Sequence, residues 1–201
     1  TYTTTKTFIS GVDFVNGTRY NPTVTIQGTF TNSTRIRFRA DASDDDDQVF
    51  IDDVVIRGCQ GTSTPTCSDG VQNGAETGVD CGGSCPPCNA ECTFTTVNSE
   101  NFDSSLGIWT DGGTDCERYS SASDANSGAY SVRLRDNTSS SVMTTASLNM
   151  AAYSQIEVRF SFKTTSFEAG EDYFVQISTD GGSTYTTTKT FISGVDFVNG
   201  T

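Results

Sequence analysis

Residues 1–18, TYTTTKTFISGVDFVNGT, recur without a single change as residues 184–201. The match is exact, and the offset from Thr1 to Thr184 is 183 residues, far longer than the roughly 20–50-residue units of solenoids and propellers. Nothing between positions 19 and 183 repeats. The chain therefore reads as one 183-residue period followed by an 18-residue overlap into the next. This is the pattern of a window, cut mid-domain, from a longer periodic polymer, and it points to a structural or adhesive array rather than an enzyme. One period has room for a domain of ordinary size plus a connector.

The formal charge is −13, which repels nucleic acid and anionic membranes and favours divalent cations. Histidine is absent, so the commonest acid–base catalyst and transition-metal ligand is missing. A Ser or Cys nucleophile would lack its usual base, and no carboxylate pair sits where its two pKa values would separate. No catalytic residue is expected. There is no apolar run of membrane-spanning length and no signal peptide, as a window on a polymer would also show.

Hydrophobic residues make up 34% of the chain, while Thr, Ser, Gly and aromatics are plentiful, a composition suited to a thin β-sandwich. Arg35–Arg39 alternates charge with Ile36 and Phe38, and Ile156–Phe162 alternates in the same way, each putting one face inward. Thr23–Gln27, Val49–Ile56, Tyr130–Leu134 and Tyr173–Ser178 are further predicted strands. Asp180-Gly181-Gly182 before the repeated TYTTTKTFI reads as a hairpin turn and its second strand. No stretch has a helical period, so the fold class is all-β.

The texture changes between Cys59 and Cys92, a segment holding six of the seven cysteines and three of the four prolines. It reads as a disulfide-stapled connector and implies an oxidising, extracellular or cell-surface setting. Cys67, Cys81, Cys85 and Cys88 are expected to form two bridges within it, in one of three connectivities. Zinc is the competing reading of their spacing, and the lack of His favours disulfides. The chain then divides into strands 1–58, connector 59–92 and strands 93–201.

A resemblance sets the register. The run from Cys92 through Glu117, then SGAYSVRLRDNTSSSVMTT, VQISTDGGSTYTT, TRIRFRADAS and FIDDVVIRGC, resembles the jelly-roll modules of secreted bacterial surface proteins. These are similar to MAM and concanavalin-like sandwiches, which open near Cys-x-Phe-acid and close on Ile-Asp-Asp. Here the opening is Cys92-Thr93-Phe94-Thr95, without the acidic position. CSDGVQNGAETGVDCGGSCPPC resembles the cysteine-rich spacers that join such modules. The resemblance implies an antiparallel jelly-roll sandwich in permuted order, with 1–58 ending one module and 93–201 beginning the next. Residues 93–201 lack the closing strands, which a neighbouring repeat or residues 1–58 of the same chain would supply. The resemblance also implies that Cys59 of one period bridges Cys92 or Cys116 of the preceding one, leaving one of these thiols free or available for an interchain link.

Two acidic regions are candidate calcium sites. Asp44–Asp47, Asp44 and Asp46 among them, lie just before Asp52 and Asp53, and hard oxygens bunched on a loop suit Ca²⁺. On a regular strand Asp52 and Asp53 face opposite ways, so one would point inward and need a partner. The resemblance implies a structural cation near this last strand, held by Asp52 and Asp53 with Glu100 and Asp103. In the connector, Asp69, Asn73, Glu76 and Asp80 recur among glycines in a pattern unlike an EF-hand, and calcium there would stiffen the joint. Trp109, Tyr119, Tyr130 and Tyr173 could stack on sugar rings. Asn16, Asn32 and Asn137 begin N-glycosylation tripeptides, and Asn199 repeats the first. The expected partners are copies of the chain arranged head to tail and surface glycans. The competing reading is a carbohydrate-binding module of a secreted protein.

Overall fold

The computed structural model describes residues 18–60, 79, 93–168 and 171–192. Among these there is no helix, and eleven strands form two sheets in which every strand pairing is antiparallel. In chain order they are β1 (Thr23–Gln27), β2 (Arg35–Asp41), β3 (Gln48–Cys59), β4 (Phe94–Glu100), β5 (Trp109–Asp111) and β6 (Cys116–Ser120). They continue with β7 (Tyr130–Arg135), β8 (Val142–Thr145), β9 (Gln155–Thr165), β10 (Asp172–Ser178) and β11 (Thr186–Ile192).

The six-stranded sheet runs β1-β9-β3-β7-β6, with β4 also on β3. The five-stranded sheet runs β11-β10-β2-β8-β5. Every strand segment expected from the sequence is present. β4, β5, β6 and β8 are additional, and their short, Thr- and Ser-rich sequences carry little hydrophobic alternation.

Strands β1–β3 complete the sheets formed by the later strands of the same chain. Gln48–Ile51 of β3 pairs with β7, and Val54–Cys59 pairs with β4, while β9 lies along the other side of β3. β2 is central in the second sheet, between β10 and β8. Of the two routes to completion, the chain here takes the intramolecular one.

The core lies between the sheets, because alternation turns one face of each strand inward. Ile36, Phe38 and Ala40 of β2 face Ile156, Val158, Phe160 and Phe162 of β9, all nearly excluded from solvent. An aromatic cluster ties the layers together. Phe38 meets Phe160 edge-on at 4.8 Å, Phe162 meets Tyr173 at 5.1 Å, and Tyr173 stacks on Phe191 at 4.6 Å. Such offset and edge contacts exploit ring quadrupoles as well as buried area.

Phe191 belongs to β11, so the second copy of the repeated segment supplies part of the core. The turn before it forms as expected: Gly181 and Gly182 take φ of 76° and 95°. Asp180 accepts from the Thr184 N–H at 2.9 Å and from the hydroxyls of Thr184 and Ser178. These donors hold its carboxyl below the usual range.

Phe191→Ala removes a buried ring from this cluster and is expected to cost about 3–5 kcal/mol. Urea unfolding measures it. A loss below about 1 kcal/mol would mean that the identical segment Thr3–Ile9, carrying Phe8, takes over the slot.

Candidate functional site

The Ile51-Asp52-Asp53 motif lies where the β3–β9 register slips. Asp53 has φ of 49°, a left-handed conformation that costs energy for a residue with a Cβ. The expectation that the two carboxylates diverge rested on regular strand geometry, and the irregularity overturns it. Both turn to one loop instead. The fully buried Asp52 accepts through Oδ2 from the N–H groups of Asn126 (2.6 Å) and Ser127 (3.1 Å), and through Oδ1 from the Asp53 N–H. Asp53 accepts from Asn126 Nδ2 and Ser127 Oγ. Burial raises the Asp52 carboxyl above its ordinary range, against the pull of these donors.

Asp103 grips the same loop from its other end. Its Oδ1 accepts from the N–H groups of Ala129 (2.9 Å) and Tyr130 (3.3 Å). Gly128, at φ 59°, makes the approach possible, since a Cβ there would collide with the Asp103 carboxylate. Arg118 lies over the Tyr130 ring and donates to the carbonyls of Phe102 and Asp103. Arg19 donates to the Ala125 carbonyl at 2.7 Å, and burial lowers its pKa against the fields of Asp52, Asp124 and Asp53. Asp124 pairs with Lys163 at 2.6 Å. The structure thus brings Asp52, Asp53 and Asp103 onto residues 126–130, between β6 and β7. Glu100 stands apart from that clamp, accepting from the Phe102 N–H at 3.4 Å and lying against Gly107.

The Asp44–Asp47 run builds its own turn. Asp44 accepts from the Asp46 N–H, and Asp47 accepts from the Asp44 N–H and the Ser43 hydroxyl. Asp47 is buried against Glu168 and Glu171, and burial first, then Glu171 and Asp44, raises its pKa. Asp45 converges with Asp115 and Asp136, and Arg135 lies 3.5 Å from Asp45 and 3.8 Å from Asp115. Hydrogen bonds from Ser140 and Thr138 lower the Asp115 carboxyl. These two triads are groupings the sequence did not announce, because their members come from segments up to 124 residues apart. Each offers three acidic ligand atoms, where Ca²⁺ takes six to eight oxygens.

Asp69, Asn73, Glu76, Asp80, Cys67, Cys81, Cys85, Cys88, Cys92 and Asn16 lie outside the described residues. Cys59 is disulfide-bonded, whereas Cys116 is free and buried, and burial pushes its thiol up to about 12. Cys59 and Cys116 of this one chain are therefore not bridged to each other, whereas the expected bridge joins successive periods. Asn32 and Asn137 are exposed on turns, as a glycan would require. The proposed sugar-stacking set does not form a platform: Trp109 and Tyr173 are core, and Tyr119 and Tyr130 lie beneath Arg133 and Arg118.

No protein-family model, curated protein or solved structure matches the chain.

Asp52→Asn weakens three hydrogen bonds to backbone N–H groups and is expected to cost about 1–3 kcal/mol, equally in calcium and in chelator. A loss seen only in calcium would assign the carboxylate to an ion instead.

A second titration lies at the end of the five-stranded sheet, where Asp172 stands opposite Asp41. Burial, then the Asp41 charge, pushes the Asp172 carboxyl up to about 6. Its native form holds a proton more tightly than the unfolded form, so stability falls as pH rises from about 4 to 6. Asp172→Asn is expected to raise the thermal midpoint at pH 7 and to flatten that slope.

Proposed function

We propose that the chain is a subunit of an extracellular filament or adhesive fibre built from head-to-tail repeats, each a jelly-roll sandwich followed by a disulfide-rich connector. The observation that carries this reading is the fit between the exact repeat and the order of strands. β11 is part of the second copy and packs beside β1. Residues 193–201 are the same nine residues that precede Arg19 as 10–18. A following period would therefore lead from β11 to another β1 through the same nine-residue sequence that precedes Arg19 here. Residues 93–201 continued by a further 19–59 spell all eleven strands in one run.

Each sandwich in such an array has two ways to be completed: by β1–β3 joined through its own connector, or by those of the next repeat. Both give the same pairings, so exchange between copies costs no strand contact and links them head to tail. Thr3–Ile9, identical to β11, fits the slot beside β10 in another copy. The jelly-roll resemblance and the cysteine-rich spacer fit the same reading, with the cell surface as its setting. Calcium enters it as an accessory, held by the carboxylate triads or the connector to stiffen the array.

The test is the mass of the native polypeptide under reducing, denaturing conditions, with limited digestion in calcium and in chelator. Chains far above 21.5 kDa that digest to a ladder spaced by one period, more slowly in calcium, are expected. A single species near 21.5 kDa overturns the covalent array, and equal digestion rates remove calcium from it.

A further inference from the structure

We propose that the outer face of the five-stranded sheet binds an acidic saccharide, whose carboxylate is taken by Arg37 and Arg35 and whose hydroxyls meet the threonines beside them. This goes beyond the array reading and does not depend on it.

Alternation along β2 puts Ile36 and Phe38 into the core and Arg35, Arg37 and Arg39 on the opposite face. The register then lines polar side chains across the sheet. Arg37 lies opposite Gln176 on β10 and Thr144 on β8, Thr144 lies opposite Thr110 on β5, and Gln176 lies opposite Thr187 on β11. Arg37 is held in place within this row. Its Nε donates to Gln176 Oε1 at 2.7 Å, Gln176 Nε2 donates to Thr187 at 3.0 Å, and the guanidinium stacks on the Tyr185 ring at 3.6 Å.

Beside it is a groove of about 450 Å³, bounded by Arg35, Thr110, Asp111, Thr144 and Tyr185. That volume is within the range of about 300–1,000 Å³ common for small-molecule sites. Its shape depends on two glycines. A Cβ on Gly112 would press on Val142 at 2.5 Å, and one on Gly182 would come within 3.1 Å of the Tyr185 hydroxyl.

Charge selects the ligand class. The chain carries −13, yet among the described residues neither Arg35 nor Arg37 forms an ion pair, whereas Arg39 on the same strand lies 3.7 Å from Asp41. A guanidinium fixed by stacking and by one hydrogen bond through Nε keeps its other N–H groups for a carboxylate, which it can meet in two parallel hydrogen bonds. Thr110 and Thr144 offer hydroxyls that both donate and accept, and Asp111 accepts from sugar hydroxyls.

A peptide fits less well. It gains affinity by pairing its backbone with an open sheet edge. Here β2 and β8 are paired on both sides, so the middle of the groove presents side chains only.

The experiment is an amide NMR titration of the 201-residue chain with tetragalacturonate, maltotetraose and a hexaglutamate peptide. Saturable shifts confined to β2, β5, β8 and the β10–β11 turn are expected with the uronate, at least about tenfold weaker with the neutral sugar and with Arg37→Gln. Arg37→Lys, which keeps charge but loses the fork, is expected to weaken binding as well, and added salt likewise. Absence of saturable uronate binding overturns the proposal, as do shifts elsewhere or tighter binding of the peptide. Unchanged affinity in an Arg37→Gln chain that keeps its thermal midpoint does the same. Should that variant fail to fold, the wild-type shift map and the uronate-to-neutral ratio still decide.

Discussion

Strand β3 is bonded to β9 along one side and to β7 and then β4 along the other, so the six-stranded sheet has no continuous interior without it. Its inward residues Val49, Ile51, Val54 and Ile56 are fully buried, and exposing them would lose about 1.5–3 kcal/mol each. The strand also pairs the segment before the connector with the segment after it, with Cys59 opposite Phe94. Two consequences follow from that position. The connector leaves and returns at neighbouring points of the sandwich, and the register slip at Asp52–Val55 falls where β3 passes from β7 to β4.

That slip gives these aspartates their role. With Asp53 in a left-handed conformation, Asp52 takes the Asn126 and Ser127 backbone N–H groups, Asp53 takes the side chains of the same two residues, and Asp103 holds the following residues from the other side. A loop rich in Ser, Gly and Ala has little apolar surface to anchor it, and hydrogen bonds from its N–H groups to the buried Asp52 and the half-buried Asp103 take that place. The cost is the desolvation of Asp52, opposed by three N–H donors and by the field of Arg19.

The two outer faces differ in kind. On the six-stranded sheet the basic side chains Arg57, Arg133 and Arg159 have acidic neighbours, Glu157 and Glu117. On the five-stranded sheet Arg35 and Arg37 form no ion pair among the described residues, and their cross-strand neighbours are Ser178 for Arg35 and Gln176 and Thr144 for Arg37. The repeated segment contributes to both sides of this second sheet: Phe191 to the core, Tyr185 to the groove. An array that conserves the repeat would carry both features in every unit.

The all-β class is legible in the residues alone, because alternation at Arg35–Arg39 and Ile156–Phe162 admits a strand and no helix, and because Asp180-Gly181-Gly182 supplies a hairpin turn. The period is legible there as well, since an exact repeat requires no structure to be read. The same alternation also placed three arginines on an outer face. Which sheet each strand joins was decided only by tertiary structure, because pairing depends on partners as distant as β3 and β9. The short strands β4, β5, β6 and β8 were invisible for the same reason: their order comes from neighbours rather than from their own pattern. Likewise the surroundings of the carboxylates rested on one register slip, which reversed the side to which Asp53 points and set Asp52 and Asp53 together on Asn126 and Ser127. Trp109 and Tyr173 became core for a comparable reason: pleating, set by pairing, turned their side chains inward.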